Sequence, residues 1–336
     1  MKQNIAVVNP KVMRTLLAAD IGGTKTLLGL FEFATPRPRR TAVQVFGTLD
    51  YKDLPSMIAG FLERESVDAA AIASACFGVA GPVFDDAATL TNVPWKVDAR
   101  SVKERFAFQR VMLLNDLQAM AYAVPVLEPS EVHVLQEGTP LDTGNIAVIA
   151  AGTGLGEALL HNVNGRYIPS PSEAGHADFA ARTEREIALL RDLVVRYGRA
   201  DVERVVSGPG IVNLYRVAHQ DRCVAGIDVS DPDAPRAISS AALERRCAGC
   251  VEALAMFVEA YGAEAGNLAI RVVSTGGVFV GGGIAPKILP ALANGTFMRA
   301  FRAKPPLEAM LAAIPVKVIL NAEAGLLGAA VFAAKC

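Results

Sequence analysis

Little in this chain points toward a membrane, a nucleic acid or an oxidising compartment. Its five cysteines are scattered and odd in number, which offers no disulfide framework and suits a reducing cytoplasm. Neither sign of charge is in excess: 33 basic and 34 acidic residues leave a net charge of −1. That balance argues against a partner such as nucleic acid or a charged lipid surface. It leaves nucleotide binding open, because a few backbone amides hold phosphates without net charge. Long apolar runs are also missing. The most apolar stretches, 69–83 and 272–293, are interrupted by Gly, Pro or charge, so no membrane span is expected. The opening residues, MKQNIAVVNPKVMRT, carry neither the apolar stretch nor the cleavage site of a secretory signal, and a cytoplasmic protein is expected.

Core material, by contrast, is ample. Hydrophobic residues make up 52% of 336, more than one core usually serves, so two domains are the default. "TLLAADIGG" and "TKTLLGLF" read as strand, glycine turn, strand. The turn Gly22-Gly23-Thr24-Lys25 resembles the end of a P-loop and is not one: Thr24 precedes the lysine, and Ala18 stands five positions before Gly23. A strand in "TAVQVFGT", a helix near 54–65 and a buried strand in "AAAIASACFGV" follow. "SVKERFAFQ" reads as helix, "RVMLLND" as a strand ending in two polar residues, and "LQAMAYAVPVL" as the start of a helix. Near residue 145 the opening pattern recurs as "NIAVIAAGTGLGEALL", which suggests two halves of related design. A third glycine cluster, Gly281-Gly282-Gly283, lies between a strand and a helix with Pro286 in its first turn. The chain ends in a strand and a helix, "VKVILNAEAGLLGAAVFAA". With no long linker, the boundary is expected at a hinge just after Asp116, with the last helix crossing back. The expected division is residues 1–118 plus 320–336 as a small α/β domain and 119–319 as a large one.

Four constellations carry chemistry. Asp20 ends an apolar strand, where a carboxylate needs a partner. It faces a hydrated Mg²⁺ beside phosphates, caps the amides of Gly22 or Gly23, or both. Lys25 either reaches a phosphate or faces solvent. Asn115-Asp116 closes a buried strand ahead of a helix: Asp116 is an N-cap or a general base that accepts the proton of an alcohol as a phosphoryl group arrives. Glu173 and His176 flank Gly175 and lack a third ligand for metal, so they read as a sugar clamp or a local Glu–His hydrogen bond. Glu203 precedes "SGPG" and a helix, and alone reads as a solvated charge. Cys247 and Cys250 form a lone C-x-x-C within "ALERRCAGCVEALAMFVEAYG", read as one continuous helix. No two further ligands are evident near it, so a structural role without metal is expected.

One glycine turn alone means only a hairpin. Three clusters in this order resemble the fold shared by actin, sugar kinases and heat-shock ATPases, an α/β two-domain actin-like ATPase (ribonuclease H-like) fold with an interdomain cleft. There, two hairpins close over the phosphates of ATP and a later glycine-rich junction receives the adenosine. Residue by residue, "DIGGT", "NDLQAMAYAVP", "AAGTGLG", "EAGHADFA", "ERVVSGPGIVNLYR", "GGVFVGGGIAP" and "AGLLGAA" stand in the order of the bacterial glucokinases. From Leu16 to its end the chain resembles that family. The resemblance implies MgATP-dependent phosphorylation of glucose at the 6-hydroxyl. It implies glucose contacts from Asn115, Asp116, Glu173, His176 and Glu203, with Asp116 as base. It also implies ATP contacts from Asp20, Gly22, Gly23 and Thr24, from Gly152, Thr153 and Gly154, and from Gly281, Gly282 and Gly283. Asp20 would face Mg²⁺ through water. A homodimer is the expected assembly.

The chain departs from the family where Lys25 replaces a common Asn and where Ala174 stands in Glu-Gly-Gly-His. The related repressor-like kinases carry zinc-binding cysteines after the Glu-x-Gly-His, whereas this chain has none between Cys76 and Cys223. That argues against that branch and against structural zinc. Three other readings compete. One is a kinase for mannose, fructose or an N-acetylhexosamine, since fold does not fix substrate. A sugar-sensing regulator would need a DNA-binding appendage larger than the leading fifteen residues. An actin-like ATPase would not need Glu173, His176 and Glu203.

Overall fold

The computed structural model describes residues 15–90, 93–219 and 223–335. Residues 1–14, which hold most of the stretch inspected for a leader, lie outside them. The chain divides into two compact units, Met1–Val126 with Gly325–Cys336, and Leu127–Ala324. Among the described residues, no helix is long and apolar enough to cross a membrane.

In the first unit the strands are β1 (Thr15–Ile21), β2 (Lys25–Glu32), β3 (Arg39–Gly47), β4 (Ile72–Val79), β5 (Val83–Phe84), β6 (Ala87–Thr89), β7 (Lys96–Asp98) and β8 (Val111–Asn115). Five of them form a sheet in the order β3-β2-β1-β4-β8, and β5, β6 and β7 form a small antiparallel one. β1 and β2 make an antiparallel hairpin, while β4 pairs parallel with both β1 and β8. The apolar residues of β1 run without interruption because both faces of the sheet are covered. With period two, Leu17, Ala19 and Ile21 join one core and Leu16 and Ala18 the other. The first core is filled from helices α1 (Leu54–Arg64) and α2 (Ala99–Phe106), with Met57, Phe61 and Phe77 wholly buried. α1 starts where it does because Asp53 accepts a hydrogen bond from the Ser56 amide at 2.8 Å and Pro55 suits the first turn. The second core packs helix α3 (Asp116–Ala123) and the C-terminal helix Ala324–Lys335 on the sheet, through Ala119, Leu326, Ala329 and Ala330.

The second unit holds β9 (Val132–Gln136), β10 (Ile146–Ala151), β11 (Leu155–Val163), β12 (Arg166–Ser172), β13 (Gly277–Gly281) and β14 (Val316–Ile319), in the order β12-β11-β10-β13-β14-β9. The plan of the first sheet returns: an antiparallel hairpin, β10–β11, whose first strand continues into parallel partners, β13 and then β14. Its helices are α4 (Glu184–Tyr197), α5 (Gly208–Ala218), α6 (Ala234–Leu243), α7 (Ala248–Val272), α8 (Leu289–Leu292), α9 (Thr296–Arg302) and α10 (Glu308–Ala313). α7 runs through the middle of the core, where Phe257, Tyr261, Phe297 and Phe301 are wholly buried.

Two segments differ from their sequence reading. "ALERRCAGCVEALAMFVEAYG" is two helices, not one. α6 stops at Leu243, Arg245 takes a left-handed conformation (φ 56°), and Cys247 is the residue that starts α7. The junction after Gly281–Gly283 is a 3-10 turn, Ala285–Ile288, followed by the four-residue α8. Pro286 and Pro290 each lack an N–H and so each opens a new short turn instead of continuing the last.

Glu157, on β11, is wholly buried, and no donor among the described residues bonds either of its carboxyl oxygens. Burial, and next the neighbouring Glu264, push its carboxyl up to about 8, against the opposing charge of Arg271. The folded chain therefore holds a proton that the unfolded chain has lost between about pH 4.3 and that value. Stability falls as pH rises across this window. Glu157→Gln should flatten the fall, as measured by urea midpoints taken from about pH 5 to about pH 8.5. An equal slope in both proteins would contradict this assignment.

Candidate active site

The first unit brings its candidate residues to one edge. Asp20 sits near the carboxyl end of β1, in register with Gly78 of β4, and Val79 is in register with Asn115 of β8. Asp20 and Asn115 are therefore two strand spacings apart, about 10 Å. The carboxyl ends of parallel strands are where open α/β sheets hold ligands.

The turn after β1 is braced from behind. The Gly22 amide donates to the Lys25 carbonyl at 3.0 Å, which closes the hairpin. Thr48, wholly buried, donates its amide to the Thr24 carbonyl at 3.0 Å and its hydroxyl to the Gly22 carbonyl at 2.8 Å. The amides of Gly23 and Thr24 bond no acceptor among the described residues. Asp20 does not cap this turn, and no donor among the described residues bonds its carboxylate. Burial pushes that carboxyl up, with the Lys25 charge pulling the other way. A half-buried carboxylate with no donor of its own suits a hydrated cation. Lys25 itself is exposed.

At the far end of the edge, Asn115 is the cap of α3. Its side-chain oxygen accepts from the amides of Leu117 at 3.0 Å and Gln118 at 3.4 Å, and its nitrogen donates to the Gly81 carbonyl at 3.3 Å. The bland reading of Asp116 as the cap thus falls to its neighbour. Asp116 becomes the first helical residue, where the amide dipoles suit a carboxylate, and one of its oxygens accepts from the Leu117 amide at 2.8 Å.

The second unit joins two glycine clusters. Ala150 pairs with Gly281, so the ends of β10 and β13 are level. Gly282 has φ 83°, and a Cβ there would stand 2.3 Å from the Ala151 carbonyl. Only glycine permits that approach. Tyr261, reaching up from α7, fixes the same point. Its hydroxyl accepts from the Ala151 amide at 3.2 Å and lies 3.3 Å from the carbonyl oxygens of both Ile149 and Gly281. In the turn itself, Gly152 donates to the Gly154 carbonyl at 2.8 Å, while the amides of Thr153 and Gly154 bond no acceptor among the described residues.

Glu203 ties this turn to the Glu173–His176 segment. Its carboxylate accepts from the Leu155 amide at 2.9 Å, and a Cβ on Gly154 would stand 2.6 Å from its oxygen. Its amide donates to the Gly175 carbonyl at 2.9 Å, and that of Val202 to Ala177 at 2.9 Å. The exposed side chains of Glu173 and His176 are thereby held beside Glu203, with no hydrogen bond between those two side chains among the described residues. Below the turn lies a cavity of about 930 Å³, bordered by Gly152, Thr153, Gly208, Arg216, Ile284 and Lys287, among others. Its size suits a nucleoside.

Sequence reasoning missed Tyr261 and Thr48. The only signal for Tyr261 was that it is the one hydroxyl-bearing residue of α7. It also missed the company of the C-x-x-C pair. His219 and Cys223 stand against Cys247, so two more candidate ligands are present after all. They belong to the end of α5 and the loop after it, which the spacing of the pair does not reveal.

A family model described as "Glucokinase" matches residues 17–336. A glucokinase of Nostoc punctiforme is 39% identical, over 96% of this chain and 100% of that protein. The crystal structure of a glucokinase from an Antarctic psychrotroph superimposes with a TM-score of 0.84 at 29% identity, over 96% of this chain and 99% of that one. A ROK family glucokinase from Streptomyces griseus, in complex with glucose and AMPPNP, shares the fold, with a TM-score of 0.65 at 19% identity over 96% of this chain and 100% of that one.

Tyr261→Phe should leave the buried Ala151 amide without an acceptor. The expected cost is about 1–3 kcal/mol of unfolding free energy, read by urea denaturation. A cost near zero would show that the hydroxyl does not hold the two clusters.

Proposed function

The chain belongs to the glucokinase family, and on that footing we propose that it transfers the terminal phosphoryl group of ATP to the 6-hydroxyl of D-glucose, giving glucose 6-phosphate and ADP. The observation that carries the site assignment is the repeated pair of glycine hairpins with unclaimed amides, together with Asp116 at the carboxyl end of β8.

ATP is bound in two ways. Of the turns Gly22–Thr24 and Gly152–Gly154, the amides of Gly23, Thr24, Thr153 and Gly154 face its phosphates, with Gly281–Gly283 beside the second turn. The cavity beneath Gly152 and Thr153 takes its nucleoside. Asp20 fits Mg²⁺ through water, because its carboxylate is half-buried and no donor among the described residues holds it. When bound, the cation supplies charge that offsets the phosphates.

Glucose is held by Asn115, Glu173, His176 and Glu203. Asn115 keeps one amide hydrogen beyond the bond to Gly81, and the exposed Glu173 and His176 pair with hydroxyls. Asp116 orients the 6-hydroxyl and accepts its proton as the oxygen attacks the γ-phosphorus and ADP leaves. A sugar with an inverted or missing hydroxyl leaves these polar groups unpaired, which is the source of discrimination. Cytoplasmic residence and a homodimer complete the proposal. Among the described residues Cys76, Cys223, Cys247 and Cys250 form no disulfide, which supports the first.

Asp116→Asn should lower kcat by about 10²–10⁴-fold, with glucose affinity changed only a few-fold, as read by coupled ADP release and calorimetry. Near-normal turnover in that variant would remove Asp116 from the role of base.

A further inference from the structure

His219, Cys223, Cys247 and Cys250 converge in the second unit, and none of them is among the residues assigned to the site above. His219 follows the last residue of α5, Cys223 lies in the loop beyond, Cys247 caps the start of α7, and Cys250 is in its first turn. The ligand atoms of His219, Cys223 and Cys247 all lie within 4.8 Å of one another. The sulfurs of Cys223 and Cys247 are 3.7 Å apart, and His219 Nε2 is 3.1 Å from Cys247 Sγ. The Cys250 thiol is the next neighbour of that group and interacts electrostatically with both Cys223 and Cys247. With Zn–S bonds of about 2.3 Å, the edge of a zinc tetrahedron between two sulfurs is about 3.8 Å. A disulfide needs about 2.05 Å.

The surroundings hold these side chains in place. Amides of Ala225 and Ile227 are aimed at Cys223 Sγ, and that of Cys250 at Cys247 Sγ. The Tyr215 hydroxyl faces the Cys223 sulfur, and its ring packs on the His219 imidazole with centroids 4.9 Å apart. Such contacts orient ligands. The residue between the paired cysteines also matters. A Cβ on Gly249 would stand 2.3 Å from His219 Cδ2, so glycine there lets the imidazole reach the C-x-x-C.

We propose that His219, Cys223, Cys247 and Cys250 bind one divalent cation of the zinc class in a tetrahedral Cys₃His site. Four ligands and three sulfurs leave no open position, so the site is structural. Binding releases the thiol protons, and each sulfur gains a metal bond in place of its S–H. The cation ties the end of α5 to the start of α7. It thereby closes the segment between Cys223 and Cys247, which carries Val229, Asp231, Arg236 and Leu243 on one wall of the cavity described above.

The test is metal content and cobalt spectroscopy on the full chain. Protein expressed with zinc in the medium and purified under reductant without chelator should carry about one zinc per chain. After removal of zinc, Co²⁺ should give thiolate charge-transfer and intense tetrahedral bands that saturate at one equivalent and are bleached by Zn²⁺. Cys250→Ser should reduce the charge-transfer absorption by about one third, as three thiolates become two. Wild-type protein with all thiols reduced that carries no zinc and gives no cobalt charge-transfer band would overturn the proposal. So would a Cys223–Cys247 disulfide that forms in its place. The wild-type titration decides even if the variants do not fold.

Discussion

Backbone meets backbone at the heart of the second unit. Gly282 lies so close to the Ala151 carbonyl that no side chain fits, and Tyr261 bonds both strand ends from beneath. Everything else there follows from this contact. It keeps β10 and β13 level, leaves the amides of Thr153 and Gly154 without acceptors among the described residues, and sets the roof of the cavity. A turn whose amides are unclaimed, and whose shape is held by bonds elsewhere, can present them to an anion without reorganising.

The first unit solves the same problem with different residues. Its hairpin turn is fixed by buried Thr48 rather than by a tyrosine, and the carboxyl ends of β1, β4 and β8 are again level. There the edge carries carboxylates, Asp20 and Asp116, where the second unit carries glycines. The two units thus share the order of their first five strands, with β9 added to the second sheet. In the proposed reaction they divide the chemistry: one offers acid–base and cation-facing groups, the other a nucleoside cavity and the Glu173, His176 and Glu203 set.

Much of this was legible in the sequence because it is local. The hairpins show as apolar runs broken by glycine, and Asn115-Asp116 shows as a polar pair closing a buried strand. The competing local readings needed geometry. Asn115 takes the cap, which leaves Asp116 for other work, and Asp20 bonds neither glycine amide. What the sequence hid is long-range. Tyr261 lies 110 residues from the amide it bonds, and His219 lies 28 residues from Cys247. The break between α6 and α7 was masked by helical periodicity on both sides, although Glu244-Arg245-Arg246 interrupts it.

The central claim is that these groups together phosphorylate glucose with ATP. Initial rates of phosphorylation for glucose, mannose and fructose, each with ATP and with polyphosphate, test it most directly. Glucose with ATP should give the highest kcat/KM, with little turnover when polyphosphate replaces ATP. A higher kcat/KM with mannose or fructose, or ADP release that is unchanged when sugar is left out, would contradict it.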